Sequence, residues 1–186
     1  MQLKSSLIAL LAITALGTAV AHDSSPLPLP LVRFSGAIGV DPLTAAGGVD
    51  TLNVVRGISP GGRAWMLRTL KASVAKDGTL TARGSNLLFT SGDGIGGRGA
   101  VTHVAATLAC GPAATARKFN SGAFELDVFG NFRINGKLSE DGINAAVMPD
   151  TCDTPVLLIR SANPTTGVLG NWFAAGIPAP VSGDDD

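Results

Sequence analysis

Two glycine-framed motifs carry the types and spacing from which catalytic or cofactor sites are built. Gly57-Ile58-Ser59-Pro60-Gly61 matches G-x-S-x-G, and an acid and a histidine follow in order at Asp93 and His103. A serine nucleophile at that elbow needs a strand-to-helix turn in an α/β sheet. Nothing else in the chain looks like such a sheet, and Ser-Pro-Gly-Gly reads as a plain turn. Gly94-Ile95-Gly96-Gly97-Arg98-Gly99 matches G-x-G-x-x-G. In a dinucleotide site, glycines of this kind let the backbone approach a pyrophosphate at a helix N-terminus. Here β-branched Val101, Thr102, Val104 and Thr107 follow, which favour a strand, and the next acid is as far away as Glu125. The segment therefore reads as an exposed, mobile glycine loop leading into a strand. Asp93 and Arg98 are its charged residues, and its bare N–H groups make the pair a candidate anion cradle. The competing expectation is a solvated turn in which Asp93 bonds its own backbone.

The other chemistry-bearing residues are few. Glu125 and Asp127 stand two apart, on one face of a strand, with Arg133 or Asn135 expected opposite them. They read as a solvated charged face with cross-strand partners rather than as a glycosidase pair. The chain has two histidines, His22 and His103. Cleavage after Ala21 would leave His22 as the first residue, so its amine and imidazole, with His103, make a three-nitrogen set suited to Cu(II). That set resembles the histidine brace of secreted copper oxygenases and copper carriers. The simpler expectation is an exposed terminal histidine and a strand histidine, with no cofactor.

The first residues set the expected compartment. Lys4 gives a positive start, Leu7 to Ala15 is uncharged and apolar, and Ala19-Val20-Ala21 places small residues before a cut. This is the layout of a cleaved secretory signal over residues 1–21, and it implies a secreted or periplasmic protein. Removing 21 residues from 186 leaves 165, a length suited to one domain. With Lys4 gone, 13 basic residues face 14 acidic ones, and three of the acids are Asp184 to Asp186. So balanced a body argues against a nucleic-acid partner and against an electrostatic membrane anchor. Two cysteines in an oxidising compartment, without Cys-x-x-Cys spacing, read as one structural disulfide, Cys110–Cys152.

Strand patterns must position these residues. Residues 22–32 include the Pro-Leu alternation SSPLPLP, an extended lead-in. Residues 33–177 read as a single β-domain and 178–186 as a frayed acidic tail. Around Asp77-Gly78, a three-residue loop Lys76-Asp77-Gly78 sets Val74 opposite Leu80 and Ala72 opposite Ala82, so that the apolar sides agree. Phe124 and Leu126, then Gly130, then Phe132 and Ile134 repeat that spacing at an offset of 52 residues. A second hairpin over 124–138 follows, and an internal duplication is one explanation of it. Further strands are expected at Arg33–Val40, Gly99–Cys110, Pro155–Arg160 and Asn171–Ile177, with a weaker one around Leu52–Arg56. About eight short strands with turn signals between them imply an all-β fold, an antiparallel barrel or sandwich.

The segments GDGIG (92–96), VAATLAC (104–110), PVLLIR (155–160) and WFAAGI (172–177) resemble a group of small secreted bacterial proteins of unknown function. The resemblance implies an all-β secreted domain with a disulfide, and it carries no activity or ligand. The expected function is a binding or structural role without catalysis. Its rivals are a small barrel holding an apolar ligand and copper binding through the N-terminal histidine.

Overall fold

In the computed structural model, residues 30–42 and 53–181 are described. They contain nine strands: β1 (Pro30–Gly39), β2 (Trp65–Ala75), β3 (Thr79–Phe89), β4 (His103–Cys110), β5 (Arg117–Asn120), β6 (Phe124–Glu125), β7 (Phe132–Lys137), β8 (Val156–Ala162) and β9 (Leu169–Ala179). No α-helix occurs among the described residues. The strands form one antiparallel sheet in the order β5-β4-β8-β9-β1-β2-β3-β7, with β6 added to β4. The sheet curls into a half-barrel. Single bridges, Leu126↔Phe132 and Asn120↔Ser139, bring the β5–β6 stretch against the β7 side.

The β2–β3 hairpin is built in the expected register. Val74 pairs with Leu80 and Ala72 with Ala82. The loop is Lys76-Asp77-Gly78, and Gly78 has φ +79°, the left-handed region that glycine enters without a Cβ penalty. The ladder runs further than expected, to Trp65↔Phe89. On the way both strands change face. Leu70, Ala72 and Val74 point inward on β2, but so does Leu67, and β3 matches this with Leu80, Ala82, Gly84 and then Leu87. The change falls at Asn86, whose φ is +57°.

Asp77 fastens the hairpin tip to β7. Its carboxylate accepts bonds from the Thr79 backbone N–H at 2.9 Å and from Lys137 Nζ at 2.6 Å. The Lys137 bond, seconded by Thr79, holds the Asp77 carboxyl down from its ordinary 3.8 to about 2. A depressed carboxyl contributes stability above its ordinary value and loses it as pH falls toward the folded one, here from about 4 to about 2. Both partners are roughly half exposed, so the contribution is small and salt-sensitive. Carbon-detected NMR titration should find Asp77 titrating near 2, and Lys137→Met should bring it back toward 3.8. An unchanged titration in that variant would show that the turn alone sets the value.

Residues 124–138 do not form a second hairpin of this kind. β7 takes its ladder from β3, from Thr79↔Lys137 to Gly84↔Phe132. β6 pairs with β4, His103↔Glu125 and Val104↔Phe124. The two segments share one bridge, Leu126↔Phe132. Gly130 does have the expected positive φ, +74°. Its carbonyl accepts the Leu87 N–H at 2.8 Å, so this turn serves β3 rather than a local ladder. The two similar sequence stretches therefore lie in different pairings. β5 was not anticipated. Residues 53–56 form no strand; a tight turn bridges Val55 to Ile58. β1 begins inside the proline-rich lead-in, and β9 runs to Ala179, two residues past the expected domain end.

Phe34, Leu70, Leu80, Leu87, Leu108, Phe119, Leu126 and Ile134 fill the concave interior. β4 is buried on both faces from Val104 to Cys110, which explains why VAATLAC reads as a continuous apolar run rather than an alternation. Cys110, at its end, and Cys152, ahead of β8, stand at disulfide distance with Cα atoms 4.9 Å apart.

Candidate functional site

The structure separates most of the residues singled out by sequence. The glycine loop does lead into a strand, β4. It is tied down more closely than expected, because Phe89 N–H donates to Gly97 O at 2.8 Å and Gly96 N–H to Phe89 O at 3.0 Å. Asp93 stands exposed on it. The Arg98 guanidinium turns back and donates to the Val101 carbonyl, while its Nε is buried without a partner. The two side chains do not converge on a common point through any of these bonds. His103 opens β4, with Nδ1 3.0 Å from Thr102 Oγ1; His22 lies outside the described residues. Ser59 is exposed in a loop, where its carbonyl accepts the Trp172 N–H at 3.0 Å, and no strand-to-helix elbow is formed.

The expected carboxylate pair is divided in role. Glu125 is exposed on β6. Asp127 instead shapes the turn before β7, accepting Asn131 N–H at 2.8 Å and Phe129 N–H at 2.9 Å. Those donors, the Asn131 backbone foremost, hold its carboxyl below the usual range.

Two clusters that sequence did not reveal are structural. Trp65 stacks on Phe173 with ring centroids 4.2 Å apart and meets Phe89 at the same distance. A surface cleft of about 540 Å³ borders them, together with Gly61, Arg63 and Val101. Trp65 and Phe173 are only 4% and 5% exposed, so their faces are spent on each other and offer no open stacking platform. The second cluster joins β4, β8 and β9. Thr107 Oγ1, fully buried, donates to Asn120 Oδ1 at 2.7 Å and receives Arg160 Nη1 at 3.1 Å. Arg160 also donates to the Gly170 and Leu169 carbonyls at 2.8 and 3.2 Å. Arg160 thus serves the buried Thr107 hydroxyl and two backbone carbonyls of β9, so the buried hydroxyl is not left unpaired.

The outer face of β1, β2, β3 and β7 is different. Register places Ser35 opposite Lys71, Lys71 opposite Arg83 and Arg83 opposite Arg133. Three cations therefore stand side by side on three adjacent strands, at intervals of about 4.8 Å between strands. All three are exposed. The ion pairs among the described residues are Arg117–Glu140 and Lys137–Asp77, and Lys71, Arg83 and Arg133 take part in neither. The next row along the strands is polar: Ser73 opposite Thr81 and Thr81 opposite Asn135. Together they line a trough of about 450 Å³. Beyond Arg133 a second depression reaches Glu125 and Asp127, so the acids lie at one end of the row. Like charges placed directly opposite one another destabilise a sheet by a few tenths to about 1 kcal/mol a pair. The row therefore costs stability, and in compensation it concentrates positive potential over a hydroxyl- and amide-rich floor.

Comparison with protein-family models, with curated proteins and with solved structures finds no match to this chain.

Proposed function

We propose that this protein is an exported β-domain that binds an acidic carbohydrate chain on the Lys71–Arg83–Arg133 face, without catalysing a reaction on it. One observation carries the reading: three unpaired cations occupy a single cross-strand row. Ser73, Thr81 and Asn135 beside them supply donors and acceptors for sugar hydroxyls. The trough has no aromatic lining residue, so bases would find nothing to stack on, which favours carbohydrate over single-stranded nucleic acid. Export rests on the leader pattern of residues 1–21 and agrees with the paired cysteines.

Retention on immobilised polygalacturonate tests the reading, with neutral dextran and duplex DNA as the other matrices. The protein should be held by polygalacturonate, released by salt and not held by dextran. Arg83→Gln, at the centre of the row, should elute at markedly lower salt while unfolding at a slightly higher temperature, because a like-charge contact is relieved. Retention on dextran, or no change in Arg83→Gln, would refute carbohydrate binding at this face. Tighter retention on DNA would reassign the ligand class.

A further inference from the structure

We infer that the rim of the sheet at Trp65 holds a second site, which takes a small carboxylic acid with a flat apolar body. The site is independent of the cationic row. Trp65 opens β2, Phe89 closes β3 and Val101 precedes β4, while Ser161 lies near the end of β8 and Phe173 near the start of β9. In an antiparallel sheet of this order, those strand ends fall on one rim. The cleft of about 540 Å³ at Trp65 is therefore the mouth of the curled sheet. Barrel mouths are among the places where small ligands bind.

The cleft offers donors that the fold does not use. Trp65 is 4% exposed, yet its indole Nε1–H has no acceptor among the described residues. The other indole is bonded, Trp172 Nε1 donating to Asn53 O at 3.0 Å. A buried indole N–H ordinarily finds a partner. Among the described side chains, Arg98 Nε is the unpaired polar atom sealed from solvent, so Trp65 Nε1 is reached from the cleft that it lines. Glycine at 61 keeps it open. A Cβ there would lie 3.2 Å from Trp65 Nε1 and 2.9 Å from Phe173 Cδ1.

Arg63 supplies the charge. Its guanidinium carbon is 5.3 Å from the Phe89 ring centroid, and the Trp65 ring is 4.2 Å from the same centroid. Arg63 joins neither ion pair among the described residues. Asp93, next to Gly92 on the loop that Arg63 flanks, does not pair with it. The indole and the guanidinium both donate and neither accepts, so they select an acceptor. The guanidinium favours a carboxylate. Trp65 and Phe173 cover each other's faces, so the ligand's body meets their edges, Phe89 and Val101.

Phenylacetate is the probe, with phenylacetamide and phenethylamine as its neutral and cationic counterparts. In ¹H–¹⁵N spectra of the full chain, phenylacetate should move the Trp65 Nε1–H signal saturably and leave that of Trp172 in place. A dissociation constant on the order of millimolar suits a ligand of this size. Arg63→Gln changes an exposed side chain and should weaken binding at least about threefold, with the rest of the spectrum intact. Phenylacetamide should bind less tightly than phenylacetate, and phenethylamine least. Arg83→Gln should leave phenylacetate affinity unchanged, and Arg63→Gln should leave retention on polygalacturonate unchanged, so the two sites fail separately. An unmoved Trp65 signal, equal affinity in Arg63→Gln, or loss of phenylacetate binding in Arg83→Gln would overturn the inference. Equal binding of all three probes would also overturn it, by showing a cleft blind to charge.

Discussion

Gly39→Ala should unfold this protein or leave it severely destabilised, by more than about 3 kcal/mol in urea denaturation. A Cβ at Gly39 would lie 2.0 Å from the Trp65 carbonyl oxygen and 2.8 Å from Met66 Cα. Both obstacles are backbone, so no rotamer change relieves them. The crowding has a cause in the fold. Val40 N–H donates to Phe173 O and Trp65 N–H to Val40 O, each at 2.8 Å, which draws the end of β1 in between β9 and β2. Gly62→Ala is the control. A Cβ there meets nothing within 4 Å, so its effect should stay within about 0.5 kcal/mol. Equal behaviour of the two variants would mean that the strands do not approach as closely as the structure places them.

The second large effect concerns Cys110 and Cys152. Their bond would close a loop of 42 residues. On the chain-entropy estimate, that stabilises the fold by roughly 4 kcal/mol. Reduction, or Cys110→Ala with Cys152→Ala, should therefore lower Tm by roughly 10 °C. Non-reducing peptide mapping of exported protein should find one linked peptide and no free thiol. Two alkylatable thiols, or a Tm indifferent to reductant, would contradict the expectation. The position explains the benefit: the bond ties the end of β4, buried on both faces, to the long irregular segment that precedes β8.

Local features of the fold were legible in sequence, and distant pairings were not. The Lys76-Asp77-Gly78 loop could be placed because only one loop length aligns Val74 with Leu80 and Ala72 with Ala82. The strand after the glycine loop could be placed because Val101, Thr102 and Val104 resist a helix. At 124–138 the repeated spacing points to a local hairpin that does not form. β6 and β7 instead take their partners from β4 and β3, and no local pattern encodes that choice. β5 is four residues long with Phe119 its only apolar residue, too short to show a period. The proposed site shares the blindness. Lys71 opposite Arg83 follows from the hairpin register, but Arg133 joins them only through the β3–β7 ladder, fifty residues along the chain from Arg83. Asp93 and Arg98 stood out because charges among glycines are conspicuous in sequence. The arginine turned out to serve its own loop.

The most direct measurement is isothermal titration of the full chain with polygalacturonate, repeated with Lys71→Gln/Arg83→Gln/Arg133→Gln. All three side chains are exposed and unpaired, so the triple variant should fold with unchanged or slightly higher Tm. Anion binding at this face predicts saturable binding by the parent, weakened by added salt, and a loss of more than about tenfold in affinity in the variant, equivalent to about 1.4 kcal/mol. Undiminished binding by a folded triple variant, or no binding by the parent at low salt, would contradict it.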